Sequence, residues 1–255
     1  MIKAVLLDLA GVVYVGASAL PGAEDALARL RDAGLAIRFL TNTTRSPRRE
    51  ILAALEGMGI ACGEDELFTP AKAACAMLTQ RHLTAHLLVH PALREDFAGI
   101  SGGNETAVVV GDAGEDFTYA SLNAAFRALA GGAQLLALAN NRTFRDSDGE
   151  LSLDTGAFVA ALEFASRASA TVLGKPSPDF FHAALASTGC EAGEAVMVGD
   201  DVEADVAGAL AAGIGAGLLV RTGKYVAGAE DVVEPRPTAV VDDLAAAADW
   251  ILAHR

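Results

Sequence analysis

The chain alternates short apolar runs with longer stretches in which apolar residues recur at helical spacing. Apolar runs occupy residues 4–7 and 35–40, and residues 21–31 between them have helical spacing with acidic residues in the first turn. Short runs without polar alternation are typical of strands that are buried on both faces of a parallel sheet. A strand, a helix and a strand of this length predict a βαβ unit with a right-handed crossover.

The same alternation continues to the C-terminus, with one break. After residues 68–70 the pattern restarts, and the strands after residue 170 return to the buried type of the first strand. Strands are expected at 87–89, 107–110, 135–139, 171–174 and 195–198, helices at 51–58, 71–78, 119–129, 157–168 and 179–185, and a polar hairpin-like stretch at 145–150. The pattern predicts an α/β fold, in which residues 1–70 and 171–255 form a Rossmann-like, doubly wound parallel-sheet core and residues 71–170 an inserted α/β domain.

Composition and charge narrow the class of partner. With 52% hydrophobic but only 5% aromatic residues, the chain has the composition of an α/β protein rich in Ala, Val and Leu. Its formal net charge of −14 opposes phosphate backbones and anionic lipids, so neither nucleic acid nor a membrane surface is an expected partner. A small phosphate ligand remains compatible, because local donors or a bound cation invert the field where they lie.

The cysteines and the apolar runs favour a cytoplasmic protein. Cys62, Cys75 and Cys190 are odd in number and widely spaced, which favours reduced thiols over a disulfide framework or a zinc site. Asp8 interrupts the N-terminal apolar run, so a signal peptide is not expected. The longest charge-free run, residues 206–220, is shorter than the roughly 18 residues that a membrane span needs.

An acidic residue ends the first predicted strand. Asp8 lies at the carboxyl end of that strand, which is where open α/β sheets bind their ligands. An aspartate in this place can act as a nucleophile or hold a metal. An acid that only caps the junction between strand and turn is an equally good interpretation of Asp8 taken alone.

Polar residues end the second predicted strand at the same edge of the sheet. Thr41, Asn42 and Thr43 offer two hydroxyl groups and an amide, and together with the N–H groups of the loop they would form a cradle for an anion. A helix that begins at Ser46 and Pro47 follows them. Threonine and asparagine are also common turn formers, which is the alternative interpretation.

Two later strand ends carry further charged residues. Lys175 follows one predicted strand, and Asp200, Asp201 and Asp205 follow the next. A lysine in this position is usually a solvated surface charge, and helix N-capping explains one of the aspartates but not all of them. Aspartates so close in sequence repel one another unless a hard divalent cation or a nearby lysine neutralises them.

Taken in order, these groups resemble the four motifs of the haloacid dehalogenase superfamily of phosphotransferases. The matching residues are 8–12, 41–43, Lys175, and 199–201 with Asp205. The insert resembles the α/β cap of the subfamily that includes nucleotide and 4-nitrophenyl phosphatases. Within it, the branch of phospholysine phosphohistidine inorganic pyrophosphate phosphatases is similar at residues 41–44, 154–165, 175–176 and 222–225. The resemblance covers essentially the whole chain.

The resemblance implies a mechanism through an aspartyl-phosphate. Asp8 would attack phosphorus, and Mg²⁺ would be held by Asp8, the backbone carbonyl of Ala10 and Asp200. Lys175 would be the second catalytic residue, because it would neutralise charge on both the aspartate and the phosphoryl group.

The resemblance also implies how a small phosphorylated substrate is bound. Thr41, Asn42 and Thr43 would hold phosphate oxygens beside Lys175, while Asp201 at the substrate and Asp205 in support would order the lysine or metal-bound waters. The cap would exclude water and select the leaving group. Capped members of this kind often dimerise through the cap, which implies a homodimer.

Ala10 departs from the pattern of the superfamily. Most members have a second aspartate here, which protonates the leaving group and then activates water. Its loss removes general acid–base catalysis worth typically ~10²–10⁴-fold, so phosphoramidates, pyrophosphate and aryl phosphates, which need little protonation, should suffer least. Two functions stay open: a Mg²⁺-dependent phosphatase of such compounds or of sugar phosphates, and a catalytically impaired pseudoenzyme that binds a phosphate ligand or a partner.

Overall fold

The structure, a computed structural model, describes residues 1–145 and 150–255. Within them the strands are β1 Ala4–Asp8, β2 Tyr14–Val15, β3 Ser18–Ala19, β4 Ala36–Leu40, β5 Leu67–Phe68, β6 Leu83–Leu88, β7 Glu105–Val110, β8 Gln134–Ala137, β9 Thr143–Arg145, β10 Leu151–Leu153, β11 Thr171–Val172, β12 Ala195–Gly199, β13 Ala216–Val220 and β14 Ala239–Val241. The helices are α1 Ala23–Asp32, α2 Arg48–Gly57, α3 Pro70–Gln80, α4 Tyr119–Ala130, α5 Thr155–Ser166, α6 Pro178–Ala186, α7 Gly208–Ala211 and α8 Leu244–Ala253. None of the helices in this described part is long and apolar enough to cross a membrane.

The described residues divide into two compact units. The first comprises residues 1–41, 49–68 and 175–255, and the second comprises residues 42–48 and 69–174. The first unit contains a six-stranded sheet in the order β14-β13-β12-β1-β4-β5, in which all neighbouring strands are parallel. A strand order that departs from β1 in both directions is that of a doubly wound sheet. The predicted α/β fold is confirmed.

Continuous apolar runs form the middle strands of this sheet because both faces are covered. Helices α1 and α8 pack together on one face, where Leu30, Phe39 and Ile251 belong to one apolar cluster. Helix α6 lies on the other face, and its Phe180 and Phe181 are buried. Parallel sheets require this cover, since their strands expose apolar side chains on both sides.

The register of the sheet places the carboxyl ends of three strands side by side. Asp8, the last residue of β1, is paired with Leu40, the last residue of β4. On the other side of β1, Leu7 is paired with Val198 near the end of β12. The residues that follow β1, β4 and β12 therefore share one edge of the sheet, where ligands of open α/β sheets bind.

The second unit has a four-stranded parallel sheet of its own, in the order β11-β8-β7-β6. Its two faces carry separate apolar clusters. One combines Leu78 of α3 with Val109, and the other combines Leu162 of α5 with Val108. Strands β9 and β10 form an antiparallel pair. Residues 146–149 of the predicted hairpin-like stretch lie outside the described residues.

Two predicted strands differ from the observed ones. The strand expected at 87–89 is β6, which begins earlier, at Leu83. Its first half was missed because Thr84 and His86 alternate with apolar residues in this edge strand. The strand expected at 171–174 in the core sheet is the short β11, which pairs with β8 in the sheet of the second unit. Lys175 is therefore the first residue of the first unit after the second unit ends.

We expect Phe39→Ala to lower the free energy of unfolding by about 3–5 kcal/mol, because it leaves a cavity in a closely packed core. Urea unfolding followed by the fluorescence of Trp250 is a suitable measurement, since this single tryptophan packs against the same cluster. The matched control is Phe164→Ala, at a side chain that is 91% exposed, with an expected change within about 0.5 kcal/mol. Equal effects of the two substitutions would contradict the assigned core.

Candidate active site

Three carboxylates meet at the edge of the sheet where β1 and β12 end. Asp8 is the last residue of β1, Asp200 directly follows β12, and Asp205 lies in a π-helical turn, Val202–Ala207, that leads into α7. One carboxylate oxygen of each lies within 4.8 Å of the others. The three residues are buried, with exposed fractions of 7%, 2% and 1%.

Burial makes the charged form of each carboxyl group costly. Burial raises the pKa of Asp8, although the Lys175 ammonium opposes this. Burial also raises the pKa of Asp200, although the hydrogen bond from the backbone N–H of Lys224 lowers it in part. The pKa of Asp205 rises to about 6, because burial and the charge of Asp8 together exceed the opposing effect of Lys175.

Lys175 supplies the cation that makes this cluster tolerable. Its Nζ forms an ion pair with Asp8 Oδ1 and a second one with Asp205 Oδ1 at 2.6 Å. Burial disfavours the ammonium, but the two carboxylates outweigh this effect and raise the pKa of Lys175. The side chain is thus protonated at neutral pH. Three carboxylates and one ammonium leave two uncompensated negative charges.

The residues present fit a divalent cation. Asp200 Oδ2 accepts the backbone N–H of Lys224 at 2.7 Å, whereas Asp200 Oδ1 is buried and has no hydrogen-bond partner among the described residues. A buried, unpaired carboxylate oxygen is costly. Hard cations such as Mg²⁺ prefer oxygen ligands of this kind, and a charge of +2 would balance the cluster.

Asp201 is held as the N-cap of the turn that follows it. Its Oδ1 accepts the N–H groups of Glu203 and Ala204 at 3.2 and 2.9 Å, and its own N–H donates to Asp205 Oδ2 at 3.1 Å. The capping interpretation of one aspartate therefore applies to Asp201. A role for it at the substrate stays a prediction.

The predicted phosphate loop begins in one unit and continues in the other. Thr41 is buried in the first unit, and its N–H donates to Phe68 O at 3.1 Å, which fixes the end of β4 against β5. Asn42 and Thr43 belong to the second unit. The phosphate-binding roles of all three residues stay predictions.

Further along this loop, an ion pair holds Arg45 within the second unit. Arg45 Nε donates to Asp112 Oδ2 at 2.5 Å, and the guanidinium lies 5.1 Å from the centre of the Phe144 ring. The N–H of Asp112 donates to Thr44 Oγ1 at 3.2 Å. Apart from Thr44, which lies in the motif at residues 41–44, these residues were not predicted, because they come from three separate segments of the sequence.

Ala10 lies in the turn between β1 and β2. It is exposed, while Leu9 and Gly11 on either side are buried. A side chain at position 10 therefore projects from a buried turn into open space. The carboxylate that most of the superfamily has here would fit without disturbing the packing.

A loop after β13 also contributes to the site. Lys224 Nζ lies 3.5 Å from Asp201 Oδ2. Burial disfavours its charge, but Asp201 and Asp200 outweigh this and raise the pKa of Lys224. Residues 222–225 resemble one branch of the family, but their sequence alone predicts no role for them.

Comparison with known proteins shows the family of the chain. The family model described as haloacid dehalogenase-like hydrolase matches residues 5–102, and a second one, HAD-hydrolase-like, matches residues 172–247. The chain belongs to the haloacid dehalogenase-like hydrolase family. The family predicted from the motifs at Asp8, Thr41, Lys175 and Asp200 is thereby confirmed.

Curated relatives within the haloacid dehalogenase-like hydrolases extend over nearly the whole chain. Haloacid dehalogenase-like hydrolase domain-containing protein 2 of Homo sapiens is 45% identical over 253 residues, which cover 99% of this chain and 97% of that protein. Phospholysine phosphohistidine inorganic pyrophosphate phosphatase of Rattus norvegicus is 42% identical over 259 residues, with 99% and 95% covered.

Solved structures of this kind share the fold. A 4-nitrophenylphosphatase from Thermotoga maritima superposes with a TM-score of 0.88 at 25% identity, and 97% of each chain is covered. A glycerol phosphate phosphatase from Mycobacterium tuberculosis in complex with magnesium has a TM-score of 0.82 at 29% identity, covering 95% of this chain and 75% of that one.

In metal-free protein, we expect Lys175→Met to lower the free energy of unfolding by about 3–5 kcal/mol near neutral pH, because it leaves buried carboxylates without their cation. The loss should shrink as the pH falls from about 8 to about 5. A carboxyl group whose pKa is higher in the folded protein binds a proton on folding, so its stabilising contribution is lost as the pH rises through that pKa.

The direction follows from Asp205, whose pKa lies at about 6 in the folded protein. Urea unfolding at several pH values measures the effect. Adding Asp205→Asn to Lys175→Met should recover part of the stability and flatten the pH dependence. A loss that does not change with pH would count against this electrostatic account.

Proposed function

We propose that the chain is a Mg²⁺-dependent phosphatase of small phosphorylated compounds, with Asp8 as the nucleophile that forms an aspartyl-phosphate. One observation carries the proposal. The Asp8 carboxylate lies against the Lys175 ammonium in a buried cluster whose remaining charge and unpaired Asp200 oxygen suit a divalent cation. A nucleophilic carboxylate, a fixed cation and a metal position are what phosphoryl transfer to an aspartate needs.

The chemistry divides into two displacements at phosphorus. An oxygen of Asp8 forms a bond to phosphorus while the bond to the leaving group breaks, and water then attacks the same phosphorus and releases Asp8 and inorganic phosphate. Lys175 neutralises Asp8 and the phosphoryl oxygens that approach it. Mg²⁺, held by Asp8, Asp200 and the Ala10 carbonyl, would screen the repulsion between the carboxylate and the phosphate. Thr41, Asn42 and Thr43 are proposed to bind phosphate oxygens.

Ala10 makes the leaving group the main determinant of the rate of the first displacement, while loss of the base that activates water slows the second displacement equally for every substrate. No carboxyl group at this position can donate a proton to the departing atom, so a poor leaving group departs as a strong base. Phosphoramidates, pyrophosphate and aryl phosphates are therefore the favoured substrates. The names of the similar phosphohistidine and 4-nitrophenyl phosphatases support this class.

The two units are proposed to have different functions. The first unit would be the catalytic core and the second the cap, which would exclude water and select the leaving group. Homodimer formation through the cap and a cytoplasmic location stay predictions from the sequence. Ala10 also supports a second candidate, a pseudoenzyme that binds a phosphate ligand or a partner.

We expect Asp8→Asn to reduce hydrolysis of 4-nitrophenyl phosphate in Mg²⁺ to the background rate while the far-UV circular dichroism stays unchanged. The amide is nearly isosteric with the carboxylate but is not nucleophilic. The matched control is Asp243→Asn, at the carboxylate that caps α8 through the N–H of Ala246, and it should retain activity. Turnover of Asp8→Asn within tenfold of the parent enzyme would rule out the aspartyl-phosphate.

We expect Ala10→Asp to raise hydrolysis of an alkyl phosphate by about 10–10³-fold, because it restores a general acid near the leaving group. The gain should be smaller for 4-nitrophenyl phosphate, whose leaving group needs little protonation. Ala10→Asn is the control, since it adds similar volume without an acid. If Ala10→Asp binds Mg²⁺ and phosphate but gains no activity on any ester, the pseudoenzyme becomes the better interpretation.

A further inference from the structure

A loop that the proposed chemistry leaves without a role connects two strand ends of the site. Thr222 Oγ1 donates a hydrogen bond to Gly11 O, in the turn that follows β1. Two residues later, the N–H of Lys224 donates to Asp200 Oδ2 at 2.7 Å, directly after β12. The three-residue segment from Thr222 to Lys224, here called the anchor segment, thus holds both turns that carry the proposed metal ligands.

The anchor segment leaves no room beside Asp200. Gly11 and Gly223 both have positive φ angles, 87° and 63°. A Cβ added at either glycine would overlap Asp200 Oδ2, and a Cβ at Gly223 would also come within 2.7 Å of Gly11 Cα. Asp200 Oδ2 is therefore enclosed by two glycine backbones and bonded to one N–H group.

This enclosure determines which carboxylate oxygen of Asp200 has no hydrogen-bond partner. With Oδ2 fixed, the carboxylate cannot rotate, and Oδ1 stays buried without a hydrogen-bond partner among the residues described. A buried carboxylate oxygen without a partner costs free energy of folding unless it binds a cation or another ligand. A ligand that is already oriented binds more tightly, because binding does not have to order it.

We propose that Thr222 and Gly223 are positioning residues that set the affinity for the divalent cation by holding Asp200 in one orientation. This inference rests on the proposed metal site. Groups that orient metal ligands typically contribute 10–100-fold in metal affinity. Neither residue is proposed to touch the substrate, so their effect should be on metal binding and not on the chemical step at saturating metal.

The test measures binding of Mn²⁺ by electron paramagnetic resonance and the rise in melting temperature with added Mg²⁺, neither of which depends on turnover. Thr222→Val and Gly223→Ala should each weaken metal binding by roughly 10–100-fold. Thr222→Ser keeps the hydroxyl and should bind metal like the parent protein. At saturating Mg²⁺, kcat of Thr222→Val should return to within about threefold of the parent, with KM unchanged, as expected for an indirect role.

Thr188→Val is the matched control. Thr188 Oγ1 donates to Leu185 O at 2.7 Å after the end of α6 and accepts the N–H of Cys190 at 3.1 Å, so the variant loses the same kind of donated bond, and one accepted bond besides, in the same unit. Its metal affinity and activity should match those of the parent. If Thr188→Val weakens metal binding as much as Thr222→Val does, the effect is general destabilisation and the inference is wrong.

Asp200→Asn separates failure of this inference from failure of the metal site. If the parent protein binds neither Mn²⁺ nor Mg²⁺, the proposed metal dependence fails, and the inference fails with it. If the parent binds metal and Asp200→Asn does not, while Thr222→Val binds like the parent, only the positioning role is overturned. Thr222→Val keeps the test informative even if Gly223→Ala does not fold.

Discussion

The ion pairs of Lys175 are the interaction on which the site depends. Asp8 and Asp205 are buried beside each other, and neither could be charged there without a cation within contact distance. The ammonium must be buried as well, so its own desolvation is offset only because it faces two carboxylates rather than one. This arrangement requires that Lys175 enters at the same sheet edge as the ends of β1 and β12. The parallel sheet and the point at which the chain re-enters the first unit both meet this requirement.

Much of this arrangement could be predicted because the strands that carry it are continuous apolar runs. Asp8 directly follows a run of four apolar residues and Asp200 follows another such run after Gly199, so both strand ends could be identified from the sequence, and both runs are buried in the structure. Parallel order then placed the two carboxylates at one edge. Lys175 is a different case, since the strand expected before it belongs to another sheet. The order of the motifs also pointed to Lys175, and its Nζ forms ion pairs with Asp8 and Asp205 although that strand is not part of the core sheet.

The parts that could not be predicted depend on close approach between segments distant in sequence. The close approach of Gly223 to Gly11 and Asp200 cannot be predicted from the sequence, because a glycine in an exposed turn and one in a tightly packed turn have the same residue type. The different roles of two neighbouring aspartates likewise depend on the direction of each side chain. Asp200 has an unpaired carboxylate oxygen, whereas Asp201 caps a turn. The strand predicted at 87–89 covers only the end of β6, because polar residues earlier in β6 interrupt the apolar run from which a buried strand is predicted.

The exposure of Ala10 bears on how such a site changes during evolution. Most residues of the site are enclosed, so a substitution there alters packing, charge balance and chemistry together. Position 10 is different, because its side chain faces open space while its backbone is held on both sides. On the proposed function, a substitution at this position changes proton transfer with little change in packing. On the proposed function, exchange of this single residue would move the same fold between hydrolysis of demanding esters, hydrolysis of labile phosphoryl groups and plain phosphate binding.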